Sequence, residues 1–486
     1  MTSLEDLSTN LLWQSFSKDV YSQGKYDYSK SGQETILEVS EIDESKPLLQ
    51  SNPNSASGKK IKKKGAGWLT TAFLIVNTAL GIGILNFPAA YDQAGGILYA
   101  TCIQLIMVCL MMSTMFILAY CSDVNGDKTY HDVLLSMTGK KGQRMAAISI
   151  TLTLYCVCVA ILIIIGDQID SLFSSIYGPG FCNYWYLDRC FTIPATAIFF
   201  ILPTCFCKRV DFLAGIGSIG IFAMLYPVFL TVYGYFKIDI KPSTIKTHPD
   251  DLTAMLAMLP VLGLGYQCQE VCVPIYSCMK DRNLCNFAKS SFVAMGFLFV
   301  IYSITGCFGY LTFGSEVAHN VMKMYNAKDP FVMVGVGALI LKMIVTYPIL
   351  ALCGRDATAG IYAEIRGLKP VELAAGEKSR RYVFAAIWFT SSLFLAVVTS
   401  GIGIVIKYLG SVASANIFIY PGICLMKVVL KEDPDIVKTR SKGLIVYSIF
   451  IAAVGAFCFG EVLLTAILNS KSELPDDLCV KELKAP

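Results

Sequence analysis

The chain has 486 residues, 55% of them apolar and 16% charged, with a mean hydropathy of +0.57, a balance that excludes a soluble multidomain protein and points to a polytopic membrane protein. The net charge is only +4, so basic residues inform by their position relative to the apolar runs rather than by their sum. The 18 cysteines lie mostly inside those runs, where a thiol acts as a small hydrophobe, so neither zinc spacing nor a dense disulfide framework is expected.

Residues 1–64 are polar, and their composition predicts a disordered tail with no signal peptide. Within it Glu44-Ser45-Lys46-Pro47-Leu48-Leu49 sets an acidic residue four positions before a dileucine, a pattern resembling the adaptor-read sorting signals of endosomal and lysosomal membrane proteins. A flexible tail lets a cytosolic receptor reach such a peptide, although an idle segment fits the same residues. The block Lys59, Lys60, Lys62, Lys63 and Lys64 is expected to stay cytosolic.

From Lys64 to Asp92 no charged side chain intervenes, and Leu69 to Tyr91 is long enough to cross a bilayer as a helix. Its middle is unusual. Gly81 and Gly83 flank one residue and Pro88 follows, which weakens helical hydrogen bonding where hydrocarbon tolerates no free backbone groups. A helix broken at that depth offers N–H groups to an anion and carbonyls to a cation. Close packing of a neighbouring helix is the plainer use of such glycines. A second Gly-x-Gly, in Leu262-Gly263-Leu264-Gly265 with Pro274 following, tips the balance. Four apolar segments separate the two, as a five-helix repeat with an interrupted first helix requires, and this layout belongs to secondary transporters.

Further spans are expected near 96–121, 145–176, 190–207, 213–236, 251–278, 287–313, 330–353, 382–400, 403–427 and 443–468, eleven in all. With the amino terminus inside, the cytosolic loops hold most of the basic residues, among them Lys140, Lys141, Arg144, Lys208, Arg209, Lys280, Arg282, Arg380 and Arg381. The opposite loops hold only Arg189, Lys237, Lys241, Lys246, Lys323 and Lys328. An odd span number puts the tail after Leu468 in the lumen or outside. Cys182 and Cys190 share a non-cytosolic loop where a disulfide is permitted, and two free thiols fit equally well. No Asn-x-Ser/Thr acceptor occurs, so N-glycosylation is not expected.

Ionisable groups inside lipid are costly and are paired, near a helix end, or functional. Asp167, with Asp170 beyond it, Glu270, Lys342 and Glu461 fit either ion pairing or coupling-ion chemistry, whereas Lys407 suits a snorkelling position. Asn77, one turn before Gly81, and Thr346, before Tyr347-Pro348, could complete an oxygen cage for sodium or bond a neighbouring helix. His131, His248 and His319 are scattered, with no metalloprotease motif, nucleophile elbow or P-loop, so an enzyme is not expected. The distribution of basic residues gives no sign of nucleic-acid binding.

Val76-Asn77-Thr78-Ala79-Leu80-Gly81-Ile82-Gly83-Ile84-Leu85, followed by Pro88, resembles the first-helix motif of the sodium-coupled neutral amino acid transporter family, in the amino acid/auxin permease branch of the amino acid, polyamine and organocation superfamily. Asn86-Phe87-Pro88-Ala89-Ala90 with Ala94-Gly95-Gly96, Ile163 to Gln168, and Thr346 to Leu350 ending at Cys353-Gly354-Arg355 extend the resemblance over about Leu69 to Leu468. The Thr346 to Arg355 stretch and the short glycan-free loops look most like the family's lysosomal, glutamine- and asparagine-moving member.

That resemblance implies an all-α polytopic membrane protein with a LeuT-like 5+5 inverted repeat plus an eleventh helix. Residues 65–250 would form the first repeat, 251–430 the second, and 431–486 the eleventh helix and a short lumenal tail. Asn77 and Thr346 match the family's sodium-site side chains, and the backbone of Gly81, Ile82, Gly83 and Ile84 matches its carboxylate cradle. Leu262, Gly263, Leu264, Gly265 and Tyr266 would meet the ammonium. The chain departs from the family at Tyr266-Gln267-Cys268-Gln269, where Gln269 replaces a histidine and cannot change charge with pH, although it could bond substrate.

The expected activity is alternating-access transport of a neutral amino acid from the lysosome, coupled to sodium or a proton and without other cofactors. The expected partners are the substrate, the coupling ion, the bilayer and a sorting adaptor, with the plasma membrane as alternative location. A rival is an amino-acid sensor that binds at the same site with little flux. An ion channel is disfavoured because no pore loop or charge ring repeats.

Overall fold

The computed structural model describes residues 66–178, 184–206, 211–237, 244–250, 252–326, 328–367, 376–399, 402–435 and 438–469. Glu44, Leu48, Leu49 and Cys182 lie outside the described residues, as do the side chains of Lys407 and Glu461. Among the described residues nine helices are long and apolar enough to cross a membrane, and the bent pair Trp68–Ala79 and Ile82–Gln93 makes a tenth span. A shorter apolar helix, Arg189–Cys205, stands where the fourth span is expected, which completes eleven. Pro194 and Pro203 interrupt it, and its backbone passes through a π turn at Ala197–Ile201 that keeps the amides bonded.

Two boundaries differ from the hydropathy reading. The third span is preceded by a separate helical segment within Tyr130–Tyr177, because Gly139, with φ +73° and ψ −174°, is not helical and breaks the helix before the apolar run. A capping box starts it: Asp132 N donates to Thr129 Oγ1 and Thr129 N donates to Asp132 Oδ2, both at 3.1 Å. The eighth helix runs through Pro330–Arg366, well past residue 353, because its last turns are polar but still helix-forming.

The first span is interrupted as expected. Helix ends at Ala79, Leu80 and Gly81 are extended, a 3-10 turn covers Ile82–Asn86, and helix resumes over Phe87–Gln93 at a 56° bend. The sixth span is interrupted too, but not within Leu262 to Tyr266. Those residues are helical in Leu259–Tyr266, and the break falls at Gln267 and Cys268 before Gln269–Ser277. The glycines there serve close approach, not rupture: a Cβ on Gly265 would stand 2.8 Å from the Phe87 ring.

Around this pair the third helix packs along the eighth, Trp68–Ala79 lies against the seventh (Leu284–Phe313), and Leu259–Tyr266 lies against Ile402–Ser414 of the tenth. The tenth continues through a π turn at Ala415–Ile419 into Tyr420–Glu432. Interrupted first and sixth helices, five spans apart and facing each other inside an eleven-span bundle, are the LeuT-like layout.

Candidate functional site

The first interruption touches the helix that leads into the second. A Cβ on Gly83 would lie 2.8 Å from the Gly265 Cα and 3.1 Å from its nitrogen, so backbone meets backbone and only glycine fits. Tyr302 of the seventh span ties them together, its buried hydroxyl donating to the carbonyls of Ala79 at 2.9 Å and Gly265 at 2.8 Å. Each carbonyl belongs to a last helical turn that lacks its own amide partner. The Tyr302 ring stacks on Phe87 with centroids 4.5 Å apart. Tyr302→Phe keeps that stack and strands the carbonyls, so stability is expected to fall by about 1–3 kcal/mol, measurable as a lowered melting temperature of the purified protein.

Room remains on the other side of the first break. A Cβ on Gly81 would meet only Ala79 O, at 3.9 Å, and Gly81 is half-buried while Ile82 to Phe87 are buried. The 3-10 turn begins there, which leaves the N–H groups of Ile82 and Gly83 without intrahelical acceptors. Across from them, Cys268 N donates to Gln269 Oε1 at 3.1 Å instead of to Leu264, which frees the Leu264 carbonyl. Free N–H groups on one side and carbonyls on the other suit a zwitterion.

Gln269 itself is turned into the protein. Its amide caps the break through Cys268 and its Nε2 reaches Thr114 Oγ1 at 3.4 Å, with the whole side chain buried. Asn77 is half-buried one turn before the break, with no side-chain hydrogen bond among the described residues. The Thr346 hydroxyl donates to Lys342 O at 2.8 Å, which leaves its oxygen lone pairs available.

Several functional-looking groups escaped the sequence reading. Gln104 of the second span (Ile97–Asn125) accepts from Tyr91 at 2.8 Å and donates to Tyr266 at 2.7 Å, fastening both broken spans to a third helix. Its only sequence signal is an amide in an apolar run. At the end of the bundle that carries Arg189, Asp167 takes Arg189 Nη1 at 2.8 Å, Lys323 Nζ at 3.3 Å and Asn320 Nδ2 at 3.2 Å, and Asp170 lies 3.5 Å from Arg189. Asp167 is thus a paired group, and His319 Nδ1 beside the cluster lies 3.2 Å from Asn86 Oδ1 of the first span. The Lys342 side chain packs on Gly220 of the fifth helix (Asp211–Lys237), where a Cβ would come 2.5 Å from its Cδ and 2.7 Å from its Nζ.

The same end is closed by the loop before the sixth span. Gly95 and Gly96, at φ +86° and +108°, admit that loop so closely that a Cβ on Gly95 would stand 2.2 Å from Pro249 N. Lys246 bonds Asp250 at 2.7 Å and lies 3.6 Å from Asp92. The Asp250 hydrogen bond, helped by Asp92, raises the Lys246 pKa, so this clasp stays charged at neutral pH. At the opposite end Ala66 N donates to Cys278 O at 3.0 Å, Lys280 N donates back to Ala66 O at 2.9 Å, and Arg282 pairs with Asp123 at 3.0 Å.

Two interrupted helices that meet inside a membrane bundle have the layout of a membrane carrier. Residues 64–466 match the family model described as transmembrane amino acid transporter protein, and the chain belongs to that family. It is a family of transporters, not enzymes. The chain is 31% identical over 451 residues to sodium-coupled neutral amino acid transporter 7 of Danio rerio, covering 91% of this chain and 95% of that protein. The protein of the same name from Homo sapiens is 32% identical over 428 residues, covering 87% and 93%. Among solved structures, MhsT in complex with L-phenylalanine aligns with a TM-score of 0.46 at 12% identity, covering 83% of this chain and 99% of that one.

Proposed function

We propose that this chain is a secondary active transporter that moves a neutral amino acid, glutamine or asparagine, from the lysosomal lumen to the cytosol by alternating access, driven by sodium. The names of its relatives support the substrate class and the ion. The observation that carries the reading is the contact of Gly83 with Gly265, which sets the N–H groups of Ile82 and Gly83 at the start of the 3-10 turn beside the end of the Leu259–Tyr266 helix, whose Leu264 carbonyl is not used by Cys268. The α-carboxylate sits on the former and the ammonium on the latter, while residues 65–250 and 251–430 act as the two repeats. The basic loops face the cytosol with the amino-terminal tail, and the segment after the eleventh helix lies in the lumen.

Asn77 and Thr346 supply side-chain oxygens to sodium beside the first break. Asn77→Ala is expected to raise the sodium concentration for half-maximal uptake about tenfold while delivery to the membrane is unchanged; unaltered sodium dependence would remove Asn77 from the ion site. In the tail, Leu48→Ala with Leu49→Ala is expected to shift the protein from lysosomes to the cell surface, seen by surface labelling, if an adaptor reads Glu44 and the two leucines. Uptake of labelled glutamine into liposomes holding the purified protein tests the whole reading. Accumulation above the outside concentration under an inward sodium gradient supports it, and saturable binding without accumulation would make the protein a sensor instead.

A further inference from the structure

Glu270 stands one residue beyond Gln269, on the first turn of Gln269–Ser277 and directly after the second break. Two amides address one of its oxygens: Gln267 Nε2 at 2.5 Å and Asn416 Nδ2 at 3.1 Å, both on Oε1. Asn416 lies in the π turn of the tenth span and is itself held in place, because Ser149 Oγ donates to its Oδ1 at 2.5 Å and Tyr130 donates to its backbone carbonyl at 2.9 Å. Its Nδ2 also reaches Thr153 Oγ1 at 3.3 Å. The cluster therefore joins the break to the third and tenth spans.

Among the described residues no Lys, Arg or His reaches Glu270, in contrast to Asp167 with its two cations. The titratable groups around it from its own helix and from the third and tenth spans are Cys268, Cys272, Tyr130, Tyr420 and Cys424, thiols and phenols that carry no positive charge. The second span brings Asp123, which is engaged by Tyr276 and Arg282, and Trp68–Ala79 brings none. An intramembrane carboxylate without a cation partner is costly unless a mobile cation neutralises it. The two side chains on Oε1 are N–H donors and the Glu270 backbone N–H also bonds the carboxylate, so the groups around it repel a metal ion, whereas a proton can bind the carboxylate directly.

We propose that Glu270 is a proton-binding carboxyl coupled to the transport site, an acid placed one position beyond the amide that cannot titrate. Protonation at Oε2 removes the charge and weakens Oε1 as an acceptor, which loosens Gln267, one of the two residues of the break. Deprotonation restores both bonds and stiffens the break. The inference rests on the transport reading above, but proton binding itself is measurable without flux.

Two measurements on the purified full chain in liposomes test it. The first is infrared difference spectroscopy between about pH 5 and 8 of wild type and Glu270→Gln. A protonated-carboxyl band that disappears with rising pH in wild type and is missing in Glu270→Gln supports the proposal; a band unchanged by the substitution, or none in wild type, overturns it. The second is glutamine uptake at each pH on either side of the membrane. Wild type is expected to vary about tenfold over two pH units, Glu270→Gln less than about twofold, and Glu270→Asp to keep the dependence at a shifted midpoint. Glutamine at this position still accepts from Gln267 and Asn416, so a merely structural Glu270 would leave the pH profile as it was and refute the proposal. Absence of any uptake by wild type would instead refute the transport reading, and the infrared result alone would then decide the role of Glu270.

Discussion

Gly83→Ala is expected to lower glutamine uptake by about 100-fold, because a methyl group there lands on the backbone of Gly265 and forces the two broken helices apart. Neither neighbour can yield: the colliding atoms are main chain, and Gly265 is itself backed by the Phe87 ring at 2.8 Å from its own would-be Cβ. Displacing the first break also pulls Ala79 O away from the Tyr302 hydroxyl that it shares with Gly265 O. Gly81→Ala is the control. Its Cβ meets nothing nearer than 3.9 Å and its φ of −135° suits any residue, so folding and melting temperature should be unchanged. Its effect should appear only as weaker substrate affinity, since the methyl enters the open space beside the freed N–H groups. Equal loss in both variants, measured as initial uptake into liposomes at matched protein density, would mean that glycine is needed for flexibility and not for the contact.

Asp167→Ala is expected to destabilise the protein by about 3–5 kcal/mol, since it removes the carboxylate that pairs with both Arg189 and Lys323 in a buried site. The check is thermal unfolding of the purified protein, followed with Arg189→Gln and with both changes together. The double variant should be more stable than the sum of the single losses implies, by at least about 1 kcal/mol, because removing both partners leaves less charge unpaired. Strict additivity would show that Asp167 and Arg189 do not depend on each other. The cluster clamps the third span, the start of the fourth and the loop before the eighth, and through His319 it borders Asn86 at the end of the 3-10 turn. Loosening it should therefore also speed opening of this end.

Much of the membrane architecture was legible because lipid imposes a simple rule: twenty apolar residues must become a helix with its backbone satisfied internally. The first break was legible for the same reason, since Gly81, Gly83 and Pro88 violate that rule inside one apolar run. The second was read two residues too early. Leu262 to Gly265 repeats the pattern of the first motif, but in the folded chain these glycines provide a flat helical face for Gly83, Phe87 and Gly410, and the rupture passes to Gln267, whose side chain bonds Glu270. Pattern alone does not separate a glycine that bends a helix from one that admits a neighbour.

The helical turns from Tyr130 to Thr138 were missed because they lack hydropathy, although Thr129 and Asp132 spell a capping box. Asp167 and Glu270 looked alike in the sequence. Tertiary contacts separate them, one among cations and the other among amides. Gln104, Tyr302 and Asn416 carry no local signal, because each acts on backbone or side chains more than a hundred residues away or on another span.

A structure of the purified protein determined with bound glutamine is the most direct test of whether the two interrupted helices hold the substrate. The amino acid should lie with its carboxylate against the N–H groups of Ile82 and Gly83, beside Gly81, and its ammonium toward the carbonyls that precede Gln267. Glutamine bound elsewhere in the bundle, with Gly83 and Gly265 still in contact and no ligand between the breaks, would contradict it.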